Sequence, residues 1–177
     1  PQSSYGAQKA IGEILLADYS RKGFIDGRGL RLPTICVRPG KPNKAASSFA
    51  SGIIREPLNG EQAICPVSAD TRLWLLSPRK VIECLIWAND LDAGSLVNRR
   101  VVNLPGVSVS VGEMVATLGR VAGPDAVERI RWEADAVIQR IVGSWPRCWN
   151  MSRAHHLGFK GDADFESIVR AYVADDL

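Results

Sequence analysis

Two kinds of segment alternate along the chain, and their alternation limits the folds open to it. One kind has helical periodicity with its own start and stop signals. Ser77 precedes Pro78, and Val81, Leu85 and Ala88 then recur at helical spacing. Ser110 and Glu113 stand three apart, ahead of an apolar run that ends at Gly123. A serine before a helix accepts a bond from a free first-turn amide, proline fits the first helical position, and a glutamate three residues on returns the bond. The other kind is short and apolar: QAICPV, RLWLL and RRVVNLPG. Each is too brief for a helix and rich in β-branched or bulky residues, so each reads as a strand. Helix, strand, helix, strand, helix is the order of an α/β fold, with parallel strands and helices on their faces. No internal repeat or low-complexity tract interrupts it.

The remaining segments fit the same scheme. Ser3 or Ser4 caps a first helix over Tyr5–Lys22, and Gly23 stops it. Placed at 100° per residue, Ala7, Ala10, Ile11, Ile14 and Ala17 form one apolar side. Tyr5, Gly12, Leu16 and Tyr19 gather beside Lys9 on the other. A helix apolar on two sides must be covered on both, by the sheet on one and by a partner subunit or a ligand on the other. GLRLPTICVRPG (Gly29 to Gly40) reads as one short buried strand. Pro33 removes a ladder donor in its middle, so the strand's end is expected to serve something other than pairing. A loop then leads into a helix that Pro57 interrupts, with Ser47 and Ser48 as caps at its start. The tail holds IQRIVGSWP, HHLGF and a last helix, DADFESIVRAYVADD.

Composition excludes several classes of function. At 177 residues, 46% apolar and 23% charged, the chain has the make-up of one globular domain or slightly more. A net charge of +3, with acids and bases interspersed and no basic run among aromatics, argues against a nucleic-acid partner. No apolar stretch approaches the roughly 18 residues that span a bilayer, and no signal-peptide pattern occurs, so no membrane is expected. Cys36, Cys65, Cys84 and Cys148 are scattered without a C-x-x-C pair and read as free thiols of a cytoplasmic protein. His155 and His156 are adjacent, do not share a helix face, and have no further ligand at metal-binding spacing, so no metal is expected. Arg99 and Arg100 read as a solvated loop.

Tyr5 and Lys9 are the candidate chemical pair, their plainer reading being an amphipathic pair with the lysine head in water. At i and i+4 they lie one above the other on a helix. A phenol titrates near about 10, and a neighbouring ammonium favours its anion. Such a pair can take the proton of a substrate alcohol while a hydride leaves the same carbon for a cofactor.

SSYGAQKAIGE, LRLPTICVRPG, TRLWLLSPRKVIECLIWA, VVNLPG and LGF, in that order over nearly the whole chain, resemble the extended short-chain dehydrogenase/reductase family, its epimerase/dehydratase group. Within that family the similarity is greatest to NAD-dependent members acting on small sugar acids. The resemblance implies a carboxy-terminal part of a Rossmann-type parallel sheet, from residues 1–40 and 77–106, plus a small mixed substrate-binding domain, from residues 41–76 and 107–177. It makes Tyr5 the proton acceptor, and Lys9 both its electrostatic partner and a donor to the nicotinamide ribose. Pro33, Thr34 and Ile35 become the segment whose backbone meets the nicotinamide carboxamide. The implied cofactor is NAD, with NADP left open, and the implied assembly is a homodimer through the Tyr5–Lys22 helix.

For the substrate, Arg72 matches a position that grips a phosphate in nucleotide-sugar relatives, and a guanidinium there can hold a carboxylate by a bidentate fork. Its plainer reading is a bridge to a nearby acid such as Asp70. Trp74 and Ser48 are further candidate substrate contacts, Trp74 being equally a core residue of an apolar strand and Ser48 a cap. Two departures stand out. The family's glycine-rich phosphate loop and the catalytic serine or threonine ahead of the tyrosine are absent from this sequence. The chain is therefore expected to be the carboxy-terminal portion of an enzyme and to bind NAD poorly alone. TICVRPG also stands where nucleotide-sugar members carry an Asn-x-Tyr-Gly-Pro-like run, which favours a smaller substrate. The alternatives are a nucleotide-sugar epimerase or reductase, and a family member that has lost chemistry.

Overall fold

The computed structural model describes residues 3–43, 45–96 and 99–177. The chain begins with α1 (Ser4–Arg21), β1 (Gly29–Arg31), β2 (Thr34–Ile35) and α2 (Ser48–Leu58). Then come β3 (Ala63–Cys65), β4 (Arg72–Leu76), α3 (Pro78–Asp90), α4 (Ala93–Leu96) and β5 (Val101–Asn103). The last stretch holds β6 (Val107–Ser110), α5 (Val111–Ala122), α6 (Pro124–Glu128), β7 (Ile130–Trp132), α7 (Ala136–Gly143), α8 (Ser152–His156) and α9 (Phe165–Asp175).

The α/β architecture is the one the alternation implies. β1 pairs with β5, β2 with β4 and β3 with β7, all parallel. One pairing departs from the parallel expectation: β6 runs antiparallel to β4, with Arg72 opposite Ser110. β6 and β7 were not foreseen. Each is three or four residues long, too short to show a period of two against its surroundings.

GLRLPTICVRPG is not one strand but two. β1 ends at Arg31, Leu32 and Pro33 belong to neither sheet, and β2 restarts on a different partner. Proline has no ladder donor, so the chain changes sheets where a bond would be missing in any case. The α2 expectation also needs correction. Pro57 lies inside the last turn, and the helix runs to Leu58, where the Asn59 amide closes it on the Arg55 and Glu56 carbonyls at 3.1 and 3.0 Å. Ser47 holds the N-cap position but accepts no cap bond with its side chain. Elsewhere the capping signals are realised. Ser3 Oγ accepts from the Gly6 amide, Ser77 Oγ from Lys80, and Ser110 with Glu113 forms a reciprocal box.

Two apolar cores result. Ile53, Ile54, Leu73, Leu75, Met114, Leu118, Ile168 and Val169 fill one, between α2, β4, α5 and α9. Leu76, Cys84, Ala88, Val102, Leu104, Ala154 and Phe159 fill the other, under α3, β5 and α8. Two forks staple distant segments together. Asp162 accepts from both the amide and the hydroxyl of Ser77 at 2.8 Å. Asp175, the last residue of α9, takes both arms of Arg79 at 2.9 and 2.6 Å.

α1 docks differently from either face read in the sequence. The side turned to the sheet carries Gly6, Ala10, Glu13, Leu16, Ala17 and Ser20, midway between the two apolar sides. Ser20 Oγ accepts from the Gly27 amide at 3.1 Å, and Glu13 takes a bidentate grip from Arg31 at 2.7 and 2.6 Å. A Cβ on Gly27 would come within 2.8 Å of Leu16 Cγ, so glycine lets the backbone lie against the helix. Polar ties hold this helix. Ile11, Ile14, Leu15 and Tyr19 are left exposed, Ile14 by 68%.

Candidate functional site

The site residues come from three elements. The Ser3 cap starts α1 so that Tyr5 and Lys9 fall in its first two turns on one face. Lys9 Nζ sits 5.3 Å from the centroid of the Tyr5 ring, within cation–π range. Tyr5 is 70% exposed, so both polar heads are open to a ligand.

Pro33, Thr34 and Ile35 form the sheet-switching link and β2. Here the expected freeing of the strand end is only partly met. Leu32 and Pro33 are unpaired, but Thr34 and Ile35 re-enter a ladder opposite Leu75 and Leu76, and the Cys36 amide donates to the Leu76 carbonyl at 3.0 Å. Burial pushes the Cys36 thiol up to about 12, so it stays protonated and donates to the Ala50 carbonyl, tying β2 to α2.

β4 brings Trp74 to the same place. Trp74 is 5% exposed and its indole N–H has no partner among the described residues. Gly106 fits between it and Pro33. A Cβ there would lie 2.8 Å from the Leu75 carbonyl oxygen and 2.9 Å from both Pro33 Cγ and Trp74 Cε2. The structure thus joins Pro33 and Trp74 through Gly106, a contact no local pattern announces. The only sequence signal was the Pro-Gly stop after VVNL. Trp74 is buried within the protein, the placement that its reading as a core residue of an apolar strand describes.

Arg72 opens β4 at the exposed end. Its acidic neighbour is Glu113, at 3.4 Å, rather than Asp70. Glu113 is committed first to the α5 cap: the Ser110 amide and hydroxyl hold its carboxyl below the usual range, and Arg72 adds a smaller pull. A long contact with a shared, exposed carboxylate leaves the guanidinium free to change partners.

Ser48 lies apart from these groups. Its hydroxyl accepts from the Asn43 amide at 3.1 Å and ties the preceding loop to α2. It lines a cavity of about 640 Å³ with Asn43, Glu56, Gln62, Asp135 and Ile138. Glu56, buried and paired with Arg55 at 2.6 Å, leaves one carboxylate oxygen without a partner among the described residues. Tyr5, Lys9 and Arg72 do not line this cavity. Among the described residues no cluster of histidine, cysteine and acids can hold a metal. The four cysteines are unpaired, Cys148 alone being exposed. Arg100 is not simply solvated but pairs with Asp26. Among the described residues no helix is long and apolar enough to cross a membrane.

No protein-family model matches the chain. Individual proteins do. D-erythronate dehydrogenase from Cupriavidus necator is 61% identical over 175 residues, covering 99% of this chain and 54% of the relative. D-erythronate dehydrogenase from Haemophilus influenzae is 51% identical over 177 residues, covering 100% and 56%. The chain thus spans about half the length of the curated relatives it matches. A crystal structure described as the nucleoside-diphosphate-sugar epimerase from Agrobacterium tumefaciens superposes with a TM-score of 0.96 at 47% identity, over 99% of this chain and 52% of that one. L-threonine 3-dehydrogenase from Trypanosoma brucei, at 23% identity and a TM-score of 0.86, shares the fold over 98% and 53%. On its ordered motifs and parallel α/β fold, the chain is homologous over almost its whole length to about half of each D-erythronate dehydrogenase named above, and more distantly to proteins named as epimerase/dehydratases.

Proposed function

We propose that this chain supplies the proton-abstracting pair and part of the substrate site of an NAD-dependent dehydrogenase that oxidises a hydroxyl of a small sugar acid, D-erythronate or a close analogue. The observation that carries the reading is the open Tyr5–Lys9 pair on one helix face, the ammonium 5.3 Å from the ring. It stands in a sequence 61% identical to a D-erythronate dehydrogenase.

The residues present fit the nicotinamide end of the cofactor. Lys9 offers a free ammonium beside Tyr5, and the Pro33–Gly106–Trp74 contact leaves no room for a further side chain at the sheet switch. When bound, the cofactor supplies a hydride acceptor. Tyr5 Oη takes the hydroxyl proton of the substrate, and Lys9 stabilises the phenolate and binds the ribose hydroxyls. The Pro33–Ile35 backbone orients the carboxamide. Arg72 turns from Glu113 to the substrate carboxylate, with Trp74 stiffening β4 beneath it and Ser48 holding the loop before α2. In this reading the cofactor is NAD, with NADP left open, and α1 pairs with its copy through Ile11, Ile14 and Leu15.

One observation favours a second reading, a nucleotide-sugar epimerase or reductase: the 47% identical structure carries an epimerase's name. A substrate panel on the native protein separates the two. NAD reduction with D-erythronate and none with nucleotide sugars supports the first. Turnover of a nucleotide sugar alone, or of neither class, overturns it.

A further inference from the structure

A second cavity, of about 450 Å³, opens beside β5, away from Tyr5, Lys9 and Arg72. Its polar lining is Arg31, Arg99, Asn103, Asn150, Ser152 and Arg153, with Val101, Val102 and Ala154 as apolar floor. Among the described residues no carboxylate lines it.

The hydrogen-bond capacity of this lining is lopsided. Its acceptors are already used. Asn150 Oδ1 takes the Ser152 amide at 2.9 Å, and Asn103 Oδ1 faces Arg31 Nη1 at 3.5 Å. The Val101 and Arg99 carbonyls accept from Arg153, the former at 2.8 Å. What remains is almost all donor: the amide NH₂ groups of Asn103 and Asn150, the Ser152 hydroxyl, the Arg99 guanidinium and the outer edge of Arg31. Glu13 engages Arg31 from the α1 side through Nε and Nη2, leaving Nη1 turned to Asn103.

Charge points the same way. Three guanidinium groups share one cavity, and among the described residues only Glu13 is paired with one of them. Burial first, then the charge of Arg99, pulls Arg153 below the ordinary arginine value, so the folded chain bears a cost for this grouping.

We infer that this cavity is a binding site for a small multivalent oxyanion, held by Arg31 and Arg99 with the Asn103, Asn150 and Ser152 donors. Guanidinium forks match the paired oxygens of a phosphoryl or carboxylate group. Arg153 acts here as a positioning residue: its own donors fasten the outer edge of β5 and fix the wall from which Arg99 projects. The site is separate from the Tyr5 chemistry and does not rest on the dehydrogenase reading.

The test is titration of the chain with inorganic phosphate at constant ionic strength, balanced with sodium chloride and followed by amide chemical shifts. Glycerol phosphate and citrate as separate arms distinguish a phosphate monoester from a polycarboxylate. Saturable shifts centred on residues 99–103 and 150–154 are expected. Arg99→Gln should weaken phosphate about ten-fold, the scale of one charge-assisted bond. Asn150→Asp keeps the acceptor for the Ser152 amide, places a negative charge in the lining and should weaken phosphate as much. This second variant decides the matter if Arg99→Gln fails to fold. Arg140→Gln, on α7 outside the cavity, should change nothing. Shifts that follow ionic strength alone, or equal losses in Arg99→Gln and Arg140→Gln, overturn the site.

Discussion

Tyr5 and Arg72 are both exposed side chains on rigid elements, and the rigidity differs in its consequence. A base must meet one proton, so replacing its hydroxyl removes the step outright. Tyr5→Phe in the native protein should lower turnover about 10²–10⁴-fold, the usual worth of a general base. NAD affinity should stay near wild type, because Lys9 remains. The check is steady-state kinetics beside cofactor titration, and a variant that keeps more than a tenth of the activity removes Tyr5 from its role. Arg72 has two long contacts to give up when it takes a new partner, with Glu113 and with the Ser108 carbonyl, each at 3.4 Å. If it holds the substrate carboxylate, Arg72→Ala should cost about ten- to a hundred-fold in kcat/KM, one charge-assisted bond, and Arg72→Lys less. The decisive comparison is a sugar acid against its uncharged alditol. The acid's advantage should collapse in Arg72→Ala; if it survives, the carboxylate is held elsewhere.

At the scale of elements, the Glu13–Arg31 fork is what fastens α1 to β1. Arg31 holds the Glu13 carboxyl below its ordinary range, chiefly through their hydrogen bonds. A carboxyl depressed in the fold adds stability above its unfolded pKa and loses it as pH falls through the folded value. The pair is half open to water, so its worth is only about 0.2–1 kcal/mol. Wild type should therefore melt slightly above Glu13→Gln at pH 7, with the gap closing below about pH 4. A gap that does not change with pH would assign the difference to packing. Gly106→Ala should cost about 1–3 kcal/mol in a denaturant titration, the scale of overpacking, because the nearest obstacle is the Leu75 carbonyl and backbone cannot step aside. Unchanged stability would mean that the Pro33–Trp74 contact relaxes freely.

These two elements also show where sequence reading stops. Ser77 with Pro78, and Ser110 with Glu113, announce helices because a cap is a local bargain within four residues. Pro33 announces a break for the same local reason. That the chain changes sheets at this break depends on β4 and β5, which no neighbour of Pro33 encodes. The grip of Glu13 on Arg31 spans 18 positions, and that of Arg72 on Glu113 spans 41. Apolar periodicity does not mark the docking face of α1, because glycine, serine and a carboxylate do the docking. Tyr5 and Lys9 were legible because four residues on a helix fix their distance.

For the whole molecule, the exposed Ile11, Ile14 and Leu15 on α1 carry the remaining expectation, a pair of such helices from two copies. Ile14→Glu should convert the native protein to a monomer in sedimentation while leaving the circular dichroism of the fold intact. A wild-type monomer sinks the dimer, and an unaffected assembly moves its interface elsewhere. The pairing of the strands has a consequence in time. β1 waits for β5, and the contact of Arg31 with Asn103 bridges 72 positions; Asp162 reaches back 85 to Ser77, and Asp175 reaches back 96 to Arg79. Closing such long loops before any contact rewards them is slow. The first core cannot seal until α9 is present, because Phe165, Ile168, Val169 and Tyr172 are part of it. A chain cut short before α9 leaves this core open, and such a species is expected to be aggregation-prone rather than a smaller folded unit.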